Sequence, residues 1–209
     1  MKYNWPKLKL CRREWINLFW TEKYDLSKSK RKPLGKGGMG KMSDFGLQLR
    51  KKQAAKRMYG VTEKQFANYY KKALKLSWVL WENMLRLVEI RFDNVIYKSN
   101  FARTIMQARQ FVWHAHFTIN GSKVNIPSYS LKVWDVIGLR EKLKESPIYK
   151  SLVEDFKEFA KKNKTTTISA SKWLDVNPDK LTITITRLPE KDDFDNTIDI
   201  QQIIEFYSK

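Results

Sequence analysis

Cysteine is nearly absent from this chain: Cys11 is the only one in 209 residues. A lone thiol excludes an internal disulfide and a multi-cysteine zinc site, and it fits a reducing compartment. Histidine is almost as scarce, limited to His114 and His116, so a metal bound there would find no further soft ligand. Long apolar runs are missing too. The opening MKYNWPKLKLCRREW has no run of signal-peptide length, and no stretch approaches the roughly 18 apolar residues of a membrane span. The expectation is a soluble cytoplasmic protein with no membrane partner. Acidic side chains are scarce in the first two thirds. Residues 1–60 carry 17 basic and 4 acidic side chains, residues 61–140 carry 12 and 5, and residues 141–209 carry 12 and 13.

What is present is a net charge of +19 beside a 42% hydrophobic content, enough to bury a core in one or two domains. A positive field of that size favours a polyanion through counterion release, which places RNA or DNA ahead of an acidic small substrate. An anionic membrane surface would use the same charge, but no long amphipathic helix sets a bulky apolar face opposite it.

The stretch QARQFVWHAHFTINGSKVNIPSYSLKVWDVI, residues 107–137, joins a short basic helix, a His-x-His pair, an Asn-Gly turn and a Lys-bearing strand pair. Such a unit is suited to gripping folded RNA. Residues 1–42, ending in KSKRKPLGKGGMGK, read as a basic arm that orders on its partner. Ser43 or Asp44 can cap a helix through Met58, with Gly60 as its stop. Thr62 to Gln65 is a capping-box sequence opening a helix with Phe66, Tyr69, Tyr70, Ala73 and Leu74 inward. Met84, Leu85, Leu87, Val88 and Phe92 mark a third helix.

Thr104 to Gln107 repeats the capping-box pattern and starts a helix to about Trp113, with Ile105, Ala108, Phe111 and Val112 inward. Phe117 to Val124 alternates around Asn120-Gly121, a hairpin signal, and 136–141 reads as another strand. A mixed-charge helix over 144–162 with Leu152, Val153, Phe156 and Phe159 on one side, a Thr/Ile strand over 181–188 and an apolar segment over 200–206 complete the pattern.

Three motifs carry less than they suggest. GKGGMGK over 35–41 has the spacing of a phosphate loop, but Met42 stands where the magnesium-binding hydroxyl is needed and no strand precedes it. His114 and His116 lack an identifiable nucleophile or orienting carboxylate, so one packing and one meeting RNA is the reading. Asp192, Asp193 and Asp195 lack the glycine and distal glutamate of a calcium loop. The basic helix face of Arg50, Lys51, Lys52, Lys56 and Arg57 gains weight from Arg103, Arg109, Lys123 and Lys132 elsewhere, and together they point to RNA.

PKLKLCRRE over 6–14, SDFGLQLR over 43–50, KRMYG over 56–60, RFDNVIY over 91–97, QARQ over 107–110, VNIPSY over 124–129 and IEFYS over 204–208 resemble bacterial small-subunit ribosomal protein four, in order and nearly end to end. The resemblance implies an α+β fold. A helical domain split in sequence, 43–90 completed by about 188–209, holds an inserted RNA-binding module with its extension over 91–187. It implies direct binding to small-subunit ribosomal RNA, nucleation of assembly, and a place beside neighbouring small-subunit proteins and the messenger RNA where it enters, with an influence on decoding accuracy. It implies no catalysis and no cofactor.

Carried over by position, the RNA contacts are Arg12, Arg13 and Lys41 in the arm, then Arg50, Lys51, Lys52, Lys56 and Arg57. In the module they are Arg91, Arg103, Gln107, Arg109, Gln110, His114, His116, Asn120, Lys123 and Lys132. Some members bind zinc through N-terminal cysteines; here the first of that set is Leu8, so the chain resembles the zinc-free branch, with no metal. Trp5, Trp15, Trp78, Trp81 and Trp134 stand where the family pattern has glycine, and Trp173 matches a family tryptophan. Two readings stand for those five positions: ordinary substitution, with exposed aromatics stacking on RNA bases, and UGA codons read as glycine, which is the expectation taken. The competing classes are an RNA-modifying enzyme, such as a pseudouridine synthase, and a stress RNA-binding protein that shares the module. The first needs a large catalytic domain, and the second has no use for the arm or the split helical domain.

Overall fold

The computed structural model describes residues 6–19, 24, 26, 43–151, 154, 171–195 and 197–208. The chain forms two compact units, one from Met1–Met84 with Asp195–Lys209 and the other from Leu85–Phe194. The architecture is α+β.

The first unit opens with α1 (Lys7–Glu14), a helix within the stretch that composition alone marks as an unpacked arm. Cys11 and, beyond the helix, Leu18 are buried, and α1 contacts α2 (Asp44–Met58). Burial of two apolar groups outweighs the local charge density. Ser43 caps α2 by accepting from the Gly46 N–H at 3.2 Å. Thr62 and Gln65 close a reciprocal capping box on α3 (Glu63–Ala73), as their spacing predicts. Phe66, Tyr70 and Ala73 line its inner face; Leu74 lies past the helix end and is exposed.

The final apolar segment is α8 (Ile200–Ser208). It packs on α2, where Gln48 donates to Glu205 at 2.9 Å, and Tyr207 stacks on Tyr70 at 4.9 Å. The boundary between units falls within α4 (Leu80–Glu89).

In the second unit the third helix expected from sequence does not run on to Phe92. Arg91 pairs with Ser130 as an isolated bridge, and the N–H groups of Phe92 and Asp93 donate to the carbonyls of Tyr129 and Pro127. That pairing breaks the helix and starts α5 (Phe92–Lys98). Next come α6 (Ile105–Trp113), β1 (Phe117–Ile119), β2 (Ser122–Lys123), β3 (Val136–Leu139) and α7 (Glu141–Lys144). The strand expected over 136–141 therefore stops at Leu139. The helix expected over 144–162, with Leu152, Val153, Phe156 and Phe159, lies mostly outside the described residues.

β4 (Leu174–Asn177) and β5 (Thr182–Ile185) complete an antiparallel sheet of order β2-β1-β3-β5-β4. Phe117 pairs with Leu139, Ile137 with Ile183, and Leu174 with Ile185. Period-two alternation puts these side chains on one face, against Phe92, Phe101, Phe111, Tyr149 and Trp173. Phe117 meets Phe101 edge-on at 5.8 Å, a favoured aromatic geometry.

Candidate nucleic-acid interface

Two polar joints, the first of them buried, hold the surface of the second unit. At the first, Asp93 is fully buried and receives two arginines. Arg91 grips it bidentately, Nε to Oδ1 at 3.0 Å and Nη2 to Oδ2 at 2.9 Å, and Arg109 reaches Oδ2 with Nε at 2.7 Å and Nη2 at 2.6 Å. One carboxylate thus fixes α6 to the start of α5. Arg91 is itself buried, so its guanidinium acts on the framework, while Arg109 remains half-exposed.

At the second joint, the Asn120 amide donates to Asp135 Oδ1 at 2.9 Å and its oxygen accepts from the Val136 N–H at 2.9 Å. Asp135 Oδ2 accepts from the Lys132 N–H at 2.7 Å. Asn120 therefore ties the β1–β2 turn to the turn before β3. Its positive φ of 49° is a conformation asparagine tolerates.

On this framework Arg103, Gln110, His114, Asn120, Lys123 and Lys132 are exposed and Gln107 half-exposed. Gln107 accepts from the Arg103 N–H at 2.9 Å while Thr104 accepts from the Gln107 N–H at 3.2 Å, which fixes the first turn of α6. Gln107, Gln110 and His114 follow at helical spacing on one face. Exposed Trp113 stands beside them, and sequence reasoning left it unplaced. His116 turns inward. Its Nδ1 lies 2.7 Å from the Tyr149 hydroxyl and its ring stacks on Phe111 at 5.0 Å. Burial, then the neighbouring His114 and Arg140, hold its pKa below the ordinary histidine value. Burial pushes the Tyr149 hydroxyl up. The two histidines thus divide into one packed and one exposed.

In the first unit most of the basic face of α2 is engaged by carboxylates. Buried Glu14 takes Arg57 and, at 3.5 Å, Arg50. Burial pushes the Glu14 carboxyl up against the pull of these arginines. Lys52 is buried, bonded to Glu63 at 2.7 Å and set 4.2 Å from the centre of the Phe206 ring. Lys56 reaches the same carboxylate at 3.0 Å. Burial would raise the Glu63 pKa, but the hydrogen bonds from Lys52, Lys56 and Tyr207 outweigh it and bring it to about 2.

Lys51 has no carboxylate partner among the described residues. Arg12 is half-exposed and Arg13 exposed on α1; Lys41 lies outside the described residues. Lys64, Lys71, Lys72 and Lys75 project from and just beyond α3, all exposed. The same 3.6-residue period that sets Phe66, Tyr70 and Ala73 inward would have found them. Among the described residues no group of His, Cys, Asp and Glu could hold a metal, and no helix is long and apolar enough to cross a membrane.

Residues 2–89 match the family model described as ribosomal protein S4/S9 N-terminal domain, and residues 90–137 match the S4 domain. The small ribosomal subunit protein uS4 of Heliobacterium modesticaldum is 41% identical over all of this chain and 99% of its own length. The uS4 of Thermodesulfovibrio yellowstonii is 41% identical and that of Thermotoga petrophila 40%, each over the same shares. The chain belongs to the small ribosomal subunit protein uS4 family.

Proposed function

We propose that this protein is a structural, non-catalytic component of the small ribosomal subunit that binds the subunit's RNA directly. The observation that carries the reading is the surface of the second unit. Arg103, Gln110, His114, Lys123 and Lys132 are exposed on a framework that buried Asp93 locks from within and Asn120 ties together at its turns. Cations held on a rigid base neutralise phosphates at little ordering cost, and they recognise RNA chiefly by the shape of its backbone.

In this reading Arg91 positions the interface of the second unit from beneath and Asn120 fixes its turns at the surface, while the first unit by itself presents the exposed α3 lysines. No cofactor takes part. The protein nucleates small-subunit assembly, contacts neighbouring ribosomal proteins, and lies near the messenger RNA where it enters, with a bearing on accuracy. It works in the cytoplasm, away from membranes.

Binding to a transcript of the ribosomal RNA 5′ domain tests this. Neutralising roughly 6–10 phosphates should lower affinity by about 10³–10⁵ between ~50 and ~200 mM salt. A nearly flat salt dependence would contradict the proposal.

A further inference from the structure

Of the five tryptophans set against family glycines, Trp15 and Trp134 occupy backbone positions that call for glycine; Trp78 and Trp81 do not have positive φ, Trp81 lying within α4, and Trp5 falls outside the described residues. Trp15 ends α1 at φ 56° and ψ 32°. Its N–H and that of Ile16 both donate to the Cys11 carbonyl, the 5→1 bond of an αL cap joined by a 6→1 bond, which sets Trp15 at the left-handed residue where glycine prevails. Trp134 is the third residue of the turn Lys132–Asp135, closed by the Asp135 N–H donating to the Lys132 carbonyl at 3.2 Å. Its φ of 70° is that of the third position of a type II turn, which glycine fills.

Ala115 and Leu181 also have positive φ, but both side chains are buried. The two indoles are far less covered, 44% exposed at Trp15 and 72% at Trp134. By contrast Trp173 is fully buried in the core. The composition points the same way. The chain has 8 Trp and 8 Gly in 209 residues, about half the usual ~7% share of glycine.

We infer that Trp15 and Trp134 are glycines in the protein as its own cells make it, inserted at UGA codons by a glycine-charged transfer RNA. The gene should carry UGA at both positions and UGG at 173. Tryptic peptides spanning 15 and 134, from protein purified from its native cells, should have the mass for glycine. UGG codons there, or peptides with the mass for tryptophan, would overturn the inference.

In the chain as written, Trp15→Gly and Trp134→Gly should each raise the unfolding midpoint by about 4–8 °C. Trp15→Ala and Trp134→Ala, which remove the indole but keep Cβ, should not. An equal gain from alanine would sink the backbone argument.

Discussion

At the scale of the residue, Asp93 matters more than any exposed cation around it. It compensates one buried arginine and orients a second, so Asp93→Asn should destabilise the second unit by about 3–5 kcal/mol. Urea unfolding followed by amide exchange at α5 and α6 would measure this. Asn120→Ala should cost less, roughly 1–3 kcal/mol, by leaving Asp135 and the Val136 N–H short of partners. It should also weaken RNA binding without removing a charge. His116 adds a pH dependence. Its folded pKa lies below the ordinary value of 6.5, so the folded state keeps the imidazole neutral while the unfolded chain protonates. Stability is then complete above about pH 6.5 and falls as pH drops below it. Denaturant midpoints at successive pH values should show the fall, and His116→Asn should remove it.

At the scale of the element, local signals were legible and distant ones were not. Thr62 with Gln65, Thr104 with Gln107, and Asn120-Gly121 each set a helix start or a turn within four residues, so sequence alone reveals them. β4 escaped because it is four residues long and presents only Leu174 and Val176 inward, too short a period to stand out. The buried cations escaped for another reason. That Lys52 faces inward is decided by Glu63 and Phe206, and that Arg91 is buried is decided by Asp93 together with the pairing to Ser130; neither shows in the helical period. The first turn of α3 carries two predictions. Thr62→Ala should cost about 1 kcal/mol through loss of the cap. Glu63, held at about 2 in the fold against its ordinary 4.5, contributes stability that is complete above the higher value and disappears as pH falls toward the lower one. Acid titration of α3 helicity should show that loss, and Glu63→Gln should flatten it.

At the scale of the whole molecule, the first unit is assembled from segments on either side of the second. Removing residues 195–209 takes away α8, with Ile203, Phe206 and Tyr207, and exposes the faces of α2 and α3 that they cover. The truncated chain should lose protection from amide exchange in α2 and α3 and keep it in the β-sheet. Equal loss in both units would contradict the division. The same connectivity sets an order of events during synthesis. Domains fold as units while the chain emerges, and α8 is made after every residue of the second unit. The sheet and its turns can therefore take shape on the nascent chain while α2 and α3 still wait for α8. A newly made molecule has its inserted module ready to grip RNA before its helical unit has closed.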